Sequence, residues 1–390
     1  MPTNIGDGGI VEDGIARIDQ ADVDRLSQHK LCLGDIVFSR RGDVTKNALI
    51  RQHEVGWLCG TGCLKVRLGN ESIANAKFIS HCLRLPDIKD WLIRHAVGAT
   101  MPNLNTGILS AVPIFLPPLP IQLEIAATLG ALDDRIALLR ETNATLEAIA
   151  QALFKSWFVD FDPVRAKMEG RTPEGMDEAT AALFPDGFET SELGEVPRGW
   201  MYCSLREVCS IFDSKRVPLS GAERAKRRGL YPYYGAAALM DYVDEYLFDG
   251  IYLLTGEDGS VADEQGFPIT QYVWGKFWVN NHAHILQGKA GFSTEHLALA
   301  LRRVNIQPYI TGAVQAKLSQ SNMWRINVLH PGQDVAEAFG ELIAPLYESV
   351  RANVEQAQTL STLRDTLLPR LISGQLRLPE AQAVLEGAPA

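Results

Sequence analysis

Few residue pairs in this sequence have the spacing of a metal site. Cys59 and Cys63 are four residues apart, with His81 further along the chain, and His282 and His284 alternate along a probable strand. Structural zinc is normally held by two tight ligand pairs, and no carboxylate or cysteine partner is implied near the two histidines. We therefore expect the six cysteines to be reduced thiols, and we expect no bound metal.

Motifs that bind nucleotides or transfer chemical groups are also missing from the sequence. The glycines of residues 6–9 and 256–259 do not separate a strand from a helix, so they favour turns over a dinucleotide site. No G-x-x-x-x-G-K-[ST] phosphate loop occurs, and no Asn-Pro-Pro or Asp-Pro-Pro run precedes an aromatic residue. The carboxylates of residues 241–249 and of Glu257 and Asp258 lack a lysine in a strand context, and we interpret them as solvated loop charge. The sequence predicts no catalytic residue and no cofactor.

The elements that would position any functional residue are repeated along the chain. A shift of 214 residues aligns residues 98–105 (GATMPNLN) with residues 312–319 (GAVQAKLS), and it aligns Pro117 with Pro331. Each copy consists of short strands and helices followed by one long helix. Strands are predicted at residues 36–38, 64–67, 251–254 and 277–279, and helices at residues 77–96 and 293–304, the second capped by Ser293. We expect an α+β fold with a pseudo-twofold internal repeat.

Each long helix carries an apolar seam with alternating steps of four and three residues, which is typical of a coiled coil. The first seam consists of Ile125, Leu129, Leu132, Ile136, Leu139, Asn143, Leu146, Ala150 and Leu153. Adding 214 gives the second seam: Phe339, Ile343, Leu346, Val350, Asn353, Ala357, Leu360, Arg364 and Leu367. The asparagine in each seam can fix the register of the helices. We expect two long antiparallel coiled-coil helices; two solvent-facing helices with separate partners are the alternative.

The net charge of −10 is concentrated outside two nearly neutral regions. Residues 1–118 hold 13 Lys/Arg against 12 Asp/Glu, as do residues 200–333, whereas residues 159–199 hold 4 against 10. The predicted order is a domain (1–118), a long helix (119–158), an acidic Gly/Pro connector lying over the surface (159–199), a second domain (200–333), a second long helix (334–378) and a tail (379–390). Only 33 residues precede Gly34, so we expect the first domain to be N-terminally truncated relative to the second.

Neither membrane insertion nor export is indicated by the sequence. No apolar run reaches the ~18 residues that a membrane span requires. The N-terminus also lacks a basic segment followed by an apolar one, as in a signal peptide. We expect a cytoplasmic protein that does not contact a membrane.

Several segments, in a fixed order, resemble one protein family. Residues 98–105, followed by residues 112–120 (VPIFLPPLP) and Gln122, resemble the end of a target-recognition domain in type I restriction-modification DNA specificity subunits, and residues 312–319 resemble it again. Residues 153–164 (LFKSWFVDFDPV) and 184–200 resemble that family's central connector, and residues 368–376 (LPRLISGQL) its C-terminal segment. The opening Trp-containing strand that Trp200 provides for the second domain has no counterpart at the N-terminus. The resemblance covers nearly the whole chain.

The resemblance implies a non-catalytic subunit with two target-recognition domains, each of which reads half of an asymmetric bipartite site on double-stranded DNA. The paired helices would separate the half-sites and bind two methyltransferase subunits, which motor-nuclease subunits would join. A coiled-coil adaptor or scaffold without its own DNA readout is the alternative. A self-contained methyltransferase would have to bind S-adenosylmethionine, and the missing motifs argue against it.

Phosphate contacts position a DNA-binding protein and base contacts give it specificity. For phosphates, the candidates are Arg40, Arg41, Lys46, Arg224, Lys226, Arg227 and Arg228. For bases, the candidates are Thr100, Asn103, Asn105, Gln315, Lys317, Ser319 and Gln320, because Asn and Gln can pair with adenine and Lys with guanine. The alternatives are that the first set is ordinary surface charge and that the loops of the second set only close each domain against the helices.

Overall fold

The computed structural model describes residues 1–98, 100–312 and 315–381. The chain divides into two compact units. Unit 1 contains residues 1–141 and 353–390, and unit 2 contains residues 142–352, so each unit takes part of each long helix. Residues 382–390, the end of the predicted tail, lie outside the described residues.

Runs of helices and runs of strands follow one another along the chain, as expected for an α+β fold. The helices are α1 (Gln20–Arg25), α2 (Ala76–Cys82), α3 (Pro86–His95), α4 (Thr106–Ser110), α5 (Leu119–Phe158), α6 (Asp162–Met168), α7 (Glu178–Leu183), α8 (Leu205–Val208), α9 (Gly221–Lys226), α10 (Thr294–Leu301), α11 (Gln320–Met323) and α12 (Gln333–Ile372). The strands are β1 (Asp7–Gly8), β2 (Ile36–Ser39), β3 (Asn47–Leu49), β4 (Cys63–Val66), β5 (Phe188–Ser191), β6 (Gly194–Pro197), β7 (Met201–Ser204), β8 (Cys209–Ile211), β9 (Arg228–Tyr234), β10 (Leu239–Val243), β11 (Phe248–Asp249), β12 (Tyr252–Gly256), β13 (Thr270–Val273), β14 (Lys276–Val279), β15 (Ala283–Gly288) and β16 (Asn327–His330). Within the described residues, none of these helices has the length and apolar character of a membrane span.

Unit 1 is built on a four-stranded sheet in the order β1-β3-β2-β4. The central strand β2 pairs antiparallel with β3 and β4, so that Ile36 lies opposite Leu49 on one side and Val66 on the other. Because β2 is buried along its whole length, its first three residues are all apolar and do not alternate with polar ones. The strands predicted at residues 36–38 and 64–67 are confirmed, with the second at 63–66.

The predicted helix at residues 77–96 is wrong as a single element. Helix α2 ends at Cys82 and α3 begins at Pro86, which occupies the first turn of the new helix. A proline inside a helix has no N–H to donate, and its ring clashes with the carbonyl four residues earlier. The break places Arg84 between the two helices, where its guanidinium reaches Asp133 on α5.

Unit 2 contains two four-stranded sheets, in the orders β13-β12-β15-β8 and β10-β9-β14-β11. The strands predicted at residues 251–254 and 277–279 are confirmed as β12 and β14. Ser293 caps α10 as predicted, since its hydroxyl accepts a hydrogen bond from the His296 amide at 3.0 Å. This helix ends at Leu301, three residues before the predicted end. Strand β7, which begins directly after Trp200, pairs antiparallel with β16 in a separate two-stranded sheet.

The internal repeat is present in the backbone of both units. In unit 1 Asn103 forms isolated bridges with Val97 and Arg41, and in unit 2 Lys317, 214 residues later, forms them with Thr311 and Asp258. The turn before each bridge contains a glycine with positive φ, at residues 98 and 312. A Cβ atom there would lie 2.7 Å from the Met101 carbonyl oxygen or 2.1 Å from that of Gln315, so both turns require glycine.

The two long helices pack antiparallel within each unit, as the seam predicts. In unit 1, Ile136 and Leu139 of α5 pack with Ala357 and Leu360 of α12. In unit 2, Phe154 of α5 packs with Phe339 of α12. The buried seam residues are Ile125, Leu129, Leu132, Ile136, Leu139, Ala150, Phe339, Ile343, Val350, Ala357, Arg364 and Leu367, while Asn143, Leu146, Leu153, Leu346, Asn353 and Leu360 are half-buried.

Both seam asparagines lie where the prediction placed them, and the contact of one is defined. The Asn143 side-chain amide donates a hydrogen bond to the Val350 carbonyl at 3.1 Å. Helix α12 ends at Ile372, before the expected limit at residue 378, and a Gly374 turn with positive φ follows it. Glycine in this conformation is a common helix terminator.

The Gly/Pro-rich segment at residues 159–199 is folded, which its composition did not predict. It carries α6, α7 and the β5–β6 hairpin, and Val164 and Phe184 are buried in a cluster with Trp157 of α5 and Trp200. Trp157 and Phe184 meet edge to face with ring centroids 5.0 Å apart. Most of its acids are exposed, whereas Pro163, Pro173 and Pro197 are buried, and the few aromatic residues determine its packing.

Candidate nucleic-acid interface

In unit 1, two of the predicted DNA-binding segments lie side by side. The loop after β2 carries Arg40 and Arg41, and residues 102–104 run along it. The Leu104 amide donates to the Arg40 carbonyl at 2.9 Å, and the Gly42 amide donates to the Pro102 carbonyl at 3.2 Å. Leu104 is buried in the core and anchors this segment. Two stretches far apart in sequence thereby form one surface.

The basic side chains of this surface are available to an anion. Arg41 and Lys46 are exposed, and in the described part of the chain no ion pair engages either of them. Asp43, the acid of the loop, accepts hydrogen bonds from the Thr45 amide and hydroxyl at 3.1 and 2.7 Å. The Nε atom of Arg40 is buried without a hydrogen-bond acceptor. Phosphate oxygens would be suitable acceptors for the exposed Arg41 and Lys46 side chains.

The polar side chains beside these cations are not equivalent. Thr100 is exposed and Asn103 is half-buried between its two bridge partners. Asn105 caps helix α4, because its side-chain oxygen accepts a hydrogen bond from the Ile108 amide at 2.9 Å. Substituting Asn105 would therefore damage the fold as well as any base contact. Thr100 and Asn103 are the better base-reading candidates.

In unit 1 the loop after β2 and the segment bridged to it through Asn103 form a backbone arrangement that we call the frame. The equivalent frame in unit 2 carries the opposite charge. The Leu318 amide donates to the Glu257 carbonyl at 2.9 Å, and the Gly259 amide donates to the Ala316 carbonyl at 2.9 Å. Where unit 1 has Arg40 and Arg41, unit 2 thus has Glu257 and Asp258. Lys317 Nζ lies 3.4 Å from Glu257 Oε1 and 3.2 Å from Asp258 Oδ1.

These acids restrain the predicted guanine-reading lysine of unit 2. Its hydrogen bond with Asp258 raises the pKa of Lys317, so the ammonium is held by its own unit. Ser319 is also occupied: it caps α11 by accepting a hydrogen bond from the Asn322 amide at 3.3 Å. Gln315 and Gln320 are exposed and remain candidates for base contacts.

Beneath this frame, Asp213, Glu257 and His284 bring their ligand atoms within 4.8 Å of one another. A metal ion does not suit the arrangement, because Arg216 is already among these groups. Its guanidinium donates to Glu257 Oε2 at 2.7 Å and lies 3.3 Å from Asp213 Oδ2. His284 is held by Asp213 on one ring nitrogen and by the Leu318 carbonyl on the other, at 2.5 and 2.7 Å. We interpret the cluster as a buried ion-pair network that supports the loop.

This network corrects two expectations from the sequence. His284 does have a carboxylate partner, Asp213, and His282 lies 3.6 Å from Asp258. Glu257 and Asp258 are not solvated loop charges, since their side chains are mostly buried and paired. No local signal could have revealed the first contact, because Asp213 and His284 are 71 residues apart.

The basic cluster around α9 divides into paired and unpaired members. Arg224 bonds to Asp241 at 3.2 Å and stacks over the Tyr233 ring. Arg227 bonds to Asp244 and Glu245 at 3.0 and 2.6 Å and lies over the Trp278 ring. Both therefore hold the fold together. In contrast, two cations of the cluster are exposed and join no ion pair with other described residues: Lys226 and Arg228.

Comparison with known proteins connects both units to one family. The family described as "Type I restriction modification DNA specificity domain" matches residues 18–148 and again residues 197–344, more than half of the chain. The chain is similar to the type I restriction enzyme MjaIX specificity subunit of Methanocaldococcus jannaschii, with 24% identity over 78% of this chain and 70% of that one. It is similar to the HindI specificity subunit of Haemophilus influenzae, with 25% identity over 73% of each chain.

Solved structures also match over most of the chain. A type I restriction-modification S subunit from M. genitalium matches with a TM-score of 0.48 and 16% identity over 87% of this chain and 82% of that one. An HsdS subunit from Thermoanaerobacter tengcongensis matches with a TM-score of 0.29 and 17% identity over 89% and 82%. The two matches to the family description coincide with the two copies of the internal repeat. The chain therefore belongs to the type I restriction-modification DNA specificity family.

Proposed function

We propose that this chain is the non-catalytic DNA-reading subunit of a type I restriction-modification complex, and that it recognises an asymmetric bipartite target on double-stranded DNA. Unit 1 reads one half-site and unit 2 reads the other. Residues 1–118 and 200–333 act as the target-recognition domains, and the helices at 119–158 and 334–378 act as the spacer. The methylation and cleavage chemistry belongs to partner subunits.

The observation that carries this proposal is one backbone frame used twice with different side chains. The bridges of Asn103 recur at Lys317, yet the neighbouring pair Arg40 and Arg41 becomes Glu257 and Asp258. A repeated frame with exchanged side chains is what two readers of two different sequences require. Because the base-reading candidates are Thr100 and Asn103 in one unit and Gln315 and Gln320 in the other, the two half-sites should differ.

Partner binding is supported by apolar side chains on the outer faces of the long helices. In unit 1 the exposed residues are Leu138 and Val354, and in unit 2 they are Ile149 and Leu342. None of the four belongs to the predicted seam. Where such side chains form one contiguous apolar patch on a helix, they favour a protein partner. We propose that two methyltransferase subunits bind along these helices and that motor-nuclease subunits join the resulting core.

Selection of bound sequences from a pool of random duplexes tests the proposal. The full chain, co-expressed and purified with its methyltransferase subunits, should enrich one asymmetric sequence with two conserved halves and an unspecified spacer. A coiled-coil adaptor without DNA readout would still co-purify with partners but would enrich no sequence. Binding of S-adenosylmethionine by the isolated chain would contradict the non-catalytic assignment.

A further inference from the structure

Unit 2 exposes a two-stranded ribbon with an unusual concentration of apolar side chains. The ribbon consists of β9 and β10, residues 228–243, at one edge of the sheet β10-β9-β14-β11. Four of its residues are exposed large apolar side chains: Leu230, Leu239, Met240 and Tyr242. The opposite face packs normally, because Tyr233 and Val243 are buried against Trp278. The exposed side chains therefore do not contribute to the core.

A bulge in this ribbon presents one leucine to solvent. Tyr242 pairs with Pro232, but the next residue, Val243, pairs with Arg228, so residues 229–231 have no partners on β10. The strands approach closely at the bulge: a Cβ on Gly229 would lie 2.4 Å from the Asp244 Cα. Leu230 projects from the middle of the bulge with 88% of its surface exposed, more than any other large apolar residue described. Bulges of this kind redirect side chains next to functional sites.

Exposed cations at the base of the ribbon can contact a polyanion. The acids Asp241, Asp244 and Glu245 are paired with Arg224 and Arg227. Glu223, on α9, is bound by Ser220. Lys226 and Arg228, at the base of the ribbon, are exposed and join no ion pair among the described residues. Lys276 lies over the Tyr246 ring, 4.7 Å from its centroid, beside the same surface.

We infer that this ribbon enters a groove of the target duplex, with Leu230 contacting base edges and Lys226 and Arg228 contacting the flanking phosphates. The major groove of B-DNA admits a two-stranded ribbon, and apolar side chains there discriminate thymine by its methyl group. This inference rests on the proposed function and goes beyond it by naming an element and a specificity residue outside the repeated frame. A protein partner on the same surface is the competing occupant.

Duplex selection with matched leucine variants tests this inference. The full chain purified with its partner subunits is compared with L230S and with L193S, which alters an exposed leucine in the β5–β6 turn. L230S should bind the duplex selected by the wild type about tenfold more weakly and should relax selection within one half-site. L193S should behave as the wild type. Both side chains are exposed, so neither change should unfold the chain.

The cations provide an independent measurement. Replacing Lys226 and Arg228 together by alanine should weaken binding to every duplex and reduce the slope of log affinity against log salt by about 1.8.

The possible failures are distinguishable. If the wild type selects a sequence and both ribbon variants match it in affinity, motif and salt slope, the ribbon does not touch DNA and the inference is wrong. If L230S keeps the motif but loses the partner subunits, the ribbon is a protein interface and the inference is equally wrong. If the wild type selects no sequence at all, the proposed function fails and the inference fails with it.

Discussion

Replacing Asp133 by alanine should destabilise unit 1 more than any surface substitution of the same kind. Its carboxylate lies between two arginines: Arg84 Nη1 is 2.8 Å away and Arg364 Nη1 is 2.6 Å away. Each arginine side chain is only 9% exposed and Asp133 only 18%. Burial raises the pKa of Asp133, but the two guanidinium groups outweigh it and hold that pKa below its ordinary value.

Stability should be lost because Asp133→Ala leaves Arg84 and Arg364 buried without the carboxylate that lies between them. Breaking a buried pair in this way costs about 3–5 kcal/mol, which for a unit of this size lowers the Tm by about 10 °C. Denaturant and thermal unfolding of the full chain measure it. The stabilisation should be complete above about pH 4 and disappear as the pH falls through the lowered pKa of Asp133.

Two control variants separate the loss of the Asp133 ion pairs from other effects of the substitution on stability. Asp134→Ala removes an exposed neighbouring carboxylate and should cost less than about 0.5 kcal/mol. The combination Arg84→Met, Asp133→Leu and Arg364→Met replaces the whole group by apolar side chains and should recover most of the stability, because no buried charge is left. The reasoning is wrong if Asp133→Ala is as mild as Asp134→Ala, or if the triple variant is as unstable as the single one.

Acidification should weaken both units, because burial lowers the pKa of His81 to about 4 and of His296 to about 3. The stabilisation by the neutral imidazoles is complete above about pH 6.5, the pKa of histidine in the unfolded chain, and the free energy of unfolding should be lower by about 2 kcal/mol per histidine at pH 5. His296→Gln should make the free energy of unfolding, measured with denaturant, depend less on pH. An unchanged pH dependence would contradict this prediction. Tyr272→Phe removes a hydroxyl that donates to Glu295 at 2.6 Å and accepts from Arg351, so it should cost about 1–3 kcal/mol in unit 2, whereas Tyr202→Phe on the surface should cost almost nothing. Arg41→Ala with Lys46→Ala should reduce the salt slope of DNA binding by about 1.8, while Arg224→Ala should lower the Tm and leave that slope unchanged. Inserting four residues after Leu139 and four near Asn353 adds about 6 Å of helix and should lengthen the spacer of the motif by one or two base pairs; a fixed spacer would show that the helices do not set it.

The features that repeat along the chain were the ones the sequence could predict. The turns at Gly98 and Gly312 have no room for a side chain and therefore require glycine. The two glycines can be aligned in the sequence, and this alignment identifies the frame in both units. The apolar seam of each long helix could also be predicted from the sequence, because burial against a partner helix requires apolar residues at a fixed period. At Arg364 the pattern holds despite a charged residue, since that side chain is buried and paired with Asp133.

The features that depend on contacts distant in sequence could not be predicted in this way. Asp213 and His284 meet only because β8 and β15 are neighbours in the sheet, and nothing local to either residue indicates this. The same limit explains why Arg224 and Lys317 looked like free DNA-binding cations: their acids come from β10 and from the turn after β12. The helix break at Pro86 was different, because the proline itself was a sufficient local signal.

Mapping of methylated bases in a host that expresses this chain with its partner subunits tests the central claim most directly. Two variants are compared with the wild type: Thr100→Ala with Asn103→Ala in unit 1, and Gln315→Ala with Gln320→Ala in unit 2. The account predicts an asymmetric bipartite motif, with each variant relaxing a different half and leaving the other half and the spacer unchanged. A methylating complex in which both variants alter the same half, or in which the motif has no two separate halves, would contradict the assignment of one half-site to each unit.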